Sequence, residues 1–137
     1  KHPRPYDFIR CAERVSGLEL DWYLMDWTQT TKQIDYQISS IIGEGPKTKI
    51  VLKREKQMPM PIDVLVRLKN GTSQLYNIPL TMMRGHRPLE GAKLLESWSW
   101  AQPYYVFEIN VSKEALLEIV IDPLGFTADV NRKNNSL

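Results

Sequence analysis

Residues 18–38 read LELDWYLMDWTQTTKQIDYQI, and the spacing of their apolar side chains changes along the stretch. The first half has the spacing of three and four that is typical of one helix face. The members of this face are Leu20, Tyr23, Leu24 and Trp27. In the second half Ile34 and Tyr36 alternate with polar residues, which is typical of a strand with one buried face. The stretch is therefore the expected boundary between a helical segment, residues 1–31, and a β domain, residues 32–137.

Two short helices are predicted for the helical segment. Pro5 suits the first position of a helix, where its missing N–H leaves no bond unmade, and the first helix is predicted over residues 6–16. Gly17 suits the left-handed position that ends a helix. A second helix over residues 19–29 would complete an αα-hairpin. The apolar stripe of the first helix consists of Phe8, Ile9, Cys11, Ala12 and Val15.

The second helix also has apolar residues outside its main face. Trp22 and Met25 fall off the stripe, so the helix offers apolar surface on more than one side. Two helices cannot cover such surface by themselves, and we expect a further body to pack against them.

The remainder of the chain predicts six or seven strands in an antiparallel β-sandwich of the fibronectin or immunoglobulin type. Most strands are separated by turn signals, and none is followed by a helix of crossover length. The strongest turn signal is Asn70-Gly71, because both residues tolerate positive φ. The predicted strands comprise residues 34–42, 48–55, 104–111 and 115–122, a hairpin pair flanking Asn70-Gly71, and a short strand at 98–100.

Three further expectations concern the second half of the chain. Residues 81–97 should form a long connection between sheets, with a helical turn at 89–95. The polar tail, residues 129–137, is expected to fray. The inward residues of the last strand are predicted to be Leu117, Ile119 and Ile121.

Composition excludes some classes of protein. The 137 residues include 18 basic and 16 acidic side chains, a net charge of +2, which argues against a nucleic-acid partner because phosphates require a clustered basic face. No apolar run approaches the roughly 20 residues of a membrane span.

Cys11 is the only cysteine, so no internal disulfide can form. The sequence therefore does not distinguish an oxidising from a reducing cellular compartment. On a predicted helix Cys11 is expected to be a small buried hydrophobe.

The sequence contains no recognisable catalytic or metal-binding motif. His2 and His86 are the only histidines, and neither has the second histidine and the acid of an HExxH zinc site. We expect His86 to be a solvated loop residue. Nucleophile elbows and glycine-rich phosphate loops are also absent, so no sequence motif indicates acyl transfer or nucleotide binding. No catalytic and no metal-ligating residue is predicted.

Trp98 and Trp100, with Tyr104 and Tyr105 close by, allow two interpretations. They could form a platform for carbohydrate or peptide. If residues 98–100 form a strand, however, both tryptophans share one face, and burial in the core or at a domain interface is then favoured.

Several short motifs occur in an order known from one enzyme family. They are Ser16-Gly17, Glu19-Leu20, Trp22-Tyr23, Trp27 and Ile34-Asp35-Tyr36, followed by residues 60–64, 78–80, 121–123 and 129–131. In this order they resemble the junction between the catalytic domain and the terminal β-sandwich of zinc aminopeptidases of the aminopeptidase N type, the gluzincin family. The similar members are the bacterial ones whose chain ends in the sandwich. Residues 31–34 depart from the pattern, since such links commonly contain Gly and Pro.

The resemblance implies a non-catalytic C-terminal fragment of a zinc metallopeptidase that hydrolyses N-terminal residues from peptides. HExxH with its downstream Glu, and the Gly-x-Met-x-Asn substrate motif, would precede Lys1, so zinc and peptide substrate would belong to the parent enzyme and this fragment would hold no cofactor. The family slightly favours a periplasmic or secreted location. The residues expected to pack against the missing catalytic domain are Trp22, Tyr23, Trp27, Trp98 and Trp100.

The chain begins Lys-His-Pro-Arg-Pro, which fits a piece of a longer protein or the product of proteolytic maturation. An excised piece would form homodimers through its exposed helix faces. The alternative is a free-standing β-sandwich module that binds carbohydrate or protein.

Overall fold

The computed structural model describes residues 2–137 as two helices followed by seven strands. Lys1, the first residue of the predicted helical segment, lies outside the described residues. The helices are α1, Pro5–Ser16, and α2, Asp21–Gln29. The strands are β1, Tyr36–Glu44; β2, Lys47–Arg54; β3, Ile62–Leu68; β4, Ser73–Ile78; β5, Ala92–Leu94; β6, Tyr104–Ile109; and β7, Leu116–Ile121. The fold is mainly β, as predicted.

The strands form two sheets, with the orders β1-β2-β6 and β5-β4-β3-β7, and the arrangement is consistent with a β-sandwich. Every pair is antiparallel except β4 with β5, which is parallel. The predicted antiparallel sandwich thus contains one parallel pair, at its short strand β5. The connection over residues 79–91 is long enough to return the chain to the same end of the sheet, as a parallel pair requires. The finer fibronectin or immunoglobulin type stays a prediction.

Local signals explain the ends of α1. The helix begins at Pro5, and the Arg4 backbone N–H donates to the Asp7 carboxylate over 2.9 Å. It ends at Gly17, whose φ of 70° is the left-handed conformation that glycine adopts at little energetic cost. The Gly17 N–H donates to the Glu13 carbonyl over 2.8 Å. In residues 2–137 neither helix is long and apolar enough to cross a membrane.

The core lies between the inner faces of the two sheets. Ile50 and Leu52 of β2 and Val64 of β3 are completely buried, with a polar or half-exposed neighbour at each intervening position. This alternation is the period-2 pattern that predicts the strands. Each fully buried aliphatic side chain contributes about 1.5–3 kcal/mol relative to an exposed one.

A cluster of three aromatic side chains lies in this core. The Trp98 ring centroid is 5.4 Å from that of Tyr36 and 5.2 Å from that of Tyr105. The Tyr36 hydroxyl donates to the Met60 carbonyl over 3.1 Å and accepts from the Met60 N–H over 2.8 Å. Burial raises the pKa of Tyr36 to about 12, and burial with the nearby Glu96 raises the pKa of Tyr105 to about 12.

The prediction that Leu117 points inward is wrong, whereas Ile119 and Ile121 are buried as predicted. The pairing of β3 with β7 shifts register between Arg67 and Leu68. Leu117 falls into this shift without a partner on β3, and its side chain is 63% exposed. Side chains alternate between the two faces of a sheet, so a register shift places the skipped residue on the opposite face from the one that the alternation predicts.

Two predictions for the middle of the chain are also wrong. Residues 89–95 do not form a helical turn, because residues 92–94 pair with β4 as the short strand β5. Residues 98–100 do not form a strand, since only Trp98 makes a bridge, to Leu80. The two tryptophans therefore do not share a face: Trp98 is 1% exposed and Trp100 is 61% exposed.

The polar tail is attached to the sandwich rather than frayed. The N–H groups of Ile119 and Ile121 donate to the carbonyls of Leu137 and Asn135 over 2.9 and 2.7 Å. The Tyr36 N–H donates to the buried Asp129 carboxylate over 2.9 Å. The tail thus covers the outer edge of β7. These attachments use backbone groups and one buried acid, which polar composition alone does not reveal.

Candidate functional site

The helical hairpin exposes most of its large apolar side chains. The only buried residue of α1 is Ile9, and the only buried residue of α2 is Asp26. The prediction that Cys11 is buried is wrong, because α1 directs Ile9 inward and leaves Cys11 exposed. We call the exposed group the hairpin surface, which consists of Tyr6, Phe8, Val15, Tyr23, Met25 and Trp27.

The exposure of the hairpin surface is large for apolar residues. Exposed fractions run from 36% at Tyr23 to 84% at Val15. Single exposed apolar residues are normal on a protein, but a group of six on two short helices is typical of a contact surface. Its chemistry is apolar and aromatic, with no catalytic group among its members.

The opposite side of the hairpin attaches it to the sandwich. Leu18 and Trp22 pack against the hydrophobic core. The Glu19 N–H donates to the Met83 carbonyl over 2.9 Å, in the loop that follows β4. At Gly85 an added Cβ would lie 2.9 Å from the Leu18 Cδ2, so this contact is close. The hairpin is therefore held against the sandwich while the hairpin surface stays exposed to solvent.

Polar contacts fix the two helices relative to each other. The Leu20 N–H donates to the Glu13 carboxylate over 2.8 Å, which joins the end of α1 to the start of α2. At the far end of α2 the Lys32 ammonium donates to the buried Asp26 carboxylate over 2.7 Å. An ion pair with one partner buried is screened less by water and salt than a fully exposed one. The Glu13 contact thus joins the two helices, and the Lys32 contact joins the end of α2 to the link that follows it.

The five residues predicted for interdomain packing lie in three places. Tyr23 and Trp27 belong to the hairpin surface, with ring centroids 5.9 Å apart. Trp22 lies beneath them, its ring 5.7 Å from Tyr23, and its indole N–H donates to the Glu19 carbonyl over 2.8 Å. Trp98 is a core residue whose indole N–H donates to the Gln102 carbonyl. Trp100 is exposed on the sandwich.

The structure thus brings together the three aromatic residues of α2 and leaves the other two tryptophans elsewhere. Sequence reasoning did not assign Tyr6, Phe8 and Val15 to the same contact surface. A signal for two of them was present, because Phe8 and Val15 are seven positions apart and so lie on one helix face.

A cavity of about 500 Å³ lies between the hairpin and the sandwich. Most of its lining is apolar, and its polar residues include Asp63, Asn77 and Arg87. The Asp63 carboxylate accepts from the Asn77 amide over 2.7 Å and from the Arg87 guanidinium over 2.5 Å. This acid is therefore already paired within the protein.

A second acid in the cavity lining is paired in the same way. The Asp122 carboxylate accepts from the N–H groups of Phe126 and Thr127, each over 2.9 Å, and from the Thr127 hydroxyl over 2.6 Å. His86 also contributes to the lining and is exposed in its loop, as predicted. With both carboxylates engaged, the cavity is best described as an apolar recess.

Glu13, Glu19 and Asp21 place carboxylate oxygens within 4.8 Å of one another near the hairpin turn. Internal contacts use two of them, since Glu13 accepts from the Leu20 N–H and Glu19 lies 3.9 Å from the Arg84 guanidinium. Exposed acidic groups of this kind are common without an ion, so the group is not evidence for or against a metal.

Comparisons with protein-family models, with curated proteins and with solved structures gave no match to this chain. The hairpin surface is therefore the candidate functional site on geometric grounds alone. It is an exposed apolar surface on a hairpin that Leu18 and Trp22 attach to the sandwich.

Proposed function

We propose that this chain is the non-catalytic C-terminal part of a zinc aminopeptidase, in which it packs against and buttresses the catalytic domain. The observation that carries the proposal is the hairpin surface, which leaves six large apolar side chains exposed on helices with one buried residue each. The identity of the missing partner comes from the resemblance of residues 16–36 to the domain junction of such enzymes.

Packing energetics favour a covered hairpin. Apolar surface removed from water contributes roughly 25 cal/mol per Å². Tyr23 and Trp27 offer aromatic rings that would stabilise an interface core strongly. Because Leu18 and Trp22 already hold the hairpin on the sandwich, a partner on its outer side would be clamped to the β domain. In that arrangement the β domain would support the catalytic domain as a buttress.

Under this proposal the reaction belongs to the parent enzyme. Its catalytic domain would supply HExxH, the zinc ion and the activated water that attacks the N-terminal peptide bond. Peptide substrate would meet this chain only through that domain. The 137-residue chain alone should hydrolyse no aminoacyl anilide, with or without added zinc. Chelator-sensitive turnover by the pure chain would contradict the proposal.

The reading frame upstream of the Lys1 codon gives the quickest test. We expect it to encode HExxH followed by a downstream Glu, and before them Gly-x-Met-x-Asn. A stop codon directly upstream, or a long frame without HExxH, would contradict the assignment to this enzyme family.

The isolated chain tests the hairpin surface itself. With that surface uncovered, the chain should bind a hydrophobic dye and should form homodimers through its helix faces. Trp27→Glu should lower dye binding, whereas Leu117→Glu, at a more exposed apolar position on β7, should lower it much less. A dye-silent chain would argue that the hairpin surface is not an uncovered interface.

A free-standing binding module is the second candidate function, and one observation favours it. Trp100 is 61% exposed and Tyr104 is 48% exposed, close together in sequence at the start of β6. Exposed aromatic rings are able to stack on carbohydrate. Titration with an oligosaccharide panel tests this candidate, which requires binding that Trp100→Ala abolishes and Trp27→Ala leaves intact.

A further inference from the structure

Three of the four sheet edges are protected against pairing with another strand. β1 has a register shift between Ile38 and Ser40, and the Lys113 ammonium donates to its Ile41 carbonyl over 2.9 Å. β5 is only three residues long. β7 is covered by the tail, through bonds to the carbonyls of Asn135 and Leu137. Bulges, short strands and covering segments are the usual means of protecting an edge.

The fourth edge, β6, has none of these protections. The Arg54 N–H donates to the Pro103 carbonyl, which establishes the phase of the hydrogen bonds between β2 and β6. Because antiparallel bonding alternates, Tyr104, Val106 and Glu108 direct their backbone N–H and C=O groups away from β2. Among residues 2–137, these backbone groups have no hydrogen-bond partner. They form a row ready to pair with another strand.

The side chains along this edge are also open. Tyr104 is 48% exposed and Val106 is 54% exposed, and both lie on the outer face of the sheet. The pairing of β6 with β2 shows no register shift. A regular, partly apolar edge of this kind is a surface to which an extended strand adds readily.

We propose that β6 pairs in antiparallel fashion with β6 of a second copy of this chain, about a two-fold axis at Val106. The sheet β1-β2-β6 then continues across the axis into the second copy. Val106 lies opposite its own counterpart, and Tyr104 lies opposite Glu108 of the second copy.

This register uses the edge completely. All three outward-facing residues enter bonded pairs, and each pair exchanges two backbone hydrogen bonds. A slip by two residues would leave one outward residue of each copy beyond the end of the partner strand. It would also place Val106 against Tyr104 or Glu108 rather than against another valine.

The charges along this edge are compatible with a second copy, because the proposed register brings no like charges together. Lys53 is the β2 partner of Tyr104, and its ammonium lies 5.8 Å from the Tyr104 ring centroid. Lys49 is the β2 partner of Glu108. The side chains that lie side by side on the four neighbouring strands are then Lys53 and Tyr104 of one copy, followed by Glu108 and Lys49 of the second copy. No like charges are adjacent in this row. Opposite charges on neighbouring strands stabilise pairing, and like charges destabilise it.

Sedimentation velocity over a wide concentration range tests the proposal on the full 137-residue chain. Val106→Lys would bring two lysines together at the axis and should raise the dimer dissociation constant at least about tenfold. The matched control is Ile42→Lys, at an apolar position on the opposite edge of the same sheet that is 46% exposed. The control should dimerise like the unmodified chain.

A disulfide identifies the register and separates this dimer from one made through the hairpin surface. In a Cys11→Ser background, Val106→Cys should form an intermolecular disulfide on mild oxidation, because bonded antiparallel pairs lie about 5.5 Å apart at Cα. Ile42→Cys should not. This milder substitution also serves if Val106→Lys fails to fold.

The proposal does not depend on the proposed function, since it concerns a different surface. A chain that is monomeric at every concentration would overturn it, as would a dimer that tolerates Val106→Lys and forms no disulfide at position 106. Binding of an extended synthetic peptide to a strictly monomeric chain would show that the edge serves a foreign strand, which also overturns it.

Discussion

At the scale of single residues, Tyr36 connects several parts of the sandwich. Its ring packs against Trp98, its hydroxyl bonds both backbone groups of Met60, and its N–H is held by Asp129. It therefore links the start of β1 to the loop before β3 and to the tail. A residue that satisfies several buried groups is costly to truncate, because each partner is left without a hydrogen bond.

Tyr36→Phe should lower the free energy of unfolding by about 1–3 kcal/mol, since it keeps the ring but leaves the Met60 N–H and carbonyl without the hydroxyl. Urea unfolding at neutral pH measures the change. Tyr104→Phe is the matched control, because the Tyr104 side chain is 48% exposed, and it should change stability by less than about 0.5 kcal/mol. Equal effects of the two variants would contradict this role.

The raised tyrosine pKa values predict a loss of stability in alkali. The pKa of Tyr36 rises from 10.0 to about 12 on folding, so above pH 10 the unfolded chain loses protons that the folded chain retains. Stability should be fully present below pH 10 and should fall as the pH rises toward 12. Tyr36→Phe should reduce the slope without abolishing it, because the pKa of Tyr105 is also about 12. An unchanged slope would contradict the assignment.

At the scale of elements, the hairpin shows how tertiary contacts decide which side of a helix is buried. The predicted face of α2 contains Tyr23 and Trp27, yet these are exposed and Trp22 lies on the inner side. The spacing of apolar residues locates the helix but does not identify the inner face when several faces are apolar. Which face of the helix is buried depends on contacts with residues far along the chain, such as Met83.

Trp22→Ala and Trp27→Ala should separate attachment from docking. Trp22→Ala removes a contact with the core and should destabilise the chain by about 1–3 kcal/mol, less than full burial would give. It should also speed amide exchange in α1 and α2. Trp27→Ala should leave stability within about 0.5 kcal/mol, because its ring belongs to the outer surface. Reversed effects would mean that the hairpin faces the sandwich with its other side.

Removal of residues 132–137 tests the tail. It deletes the carbonyls that bond Ile119 and Ile121 and exposes the edge of β7. We expect a lower urea midpoint and aggregation at high concentration, since uncovered sheet edges pair with other chains. An unchanged midpoint with a soluble product would show that the tail contributes nothing to the sheet.

Local patterns predict the features that local chemistry controls. The end of α1 at Gly17 and the turn at Gly71 follow from the φ preference of glycine, although Asn70 does not adopt the positive φ that it tolerates. The alternating burial of β2 and β3 follows from the side-chain period. The tail could not be predicted, because the Tyr36 bond to Asp129 joins residues 93 positions apart. The outward orientation of the Leu117 side chain could not be predicted either, because it depends on a register shift that only the pairing of β3 with β7 defines.

At the scale of the whole molecule, the site could be predicted only in part. The sequence predicts Tyr23 and Trp27 as packing residues, because a two-helix hairpin cannot cover apolar residues on several sides, and the structure leaves both exposed. A strand over residues 98–100 would place Trp98 and Trp100 on one face, and the structure does not contain that strand. What results is a sandwich that carries the exposed apolar hairpin surface and, on our proposal, serves as the buttress of a larger enzyme.

The most direct test of this account is an aminopeptidase assay of the native protein, captured from its source with an antibody against the sandwich. We predict that the captured protein is longer than this chain, contains zinc, and hydrolyses aminoacyl anilides in a reaction that a chelator stops and zinc restores. A captured protein that lacks zinc and shows no turnover would contradict the central claim.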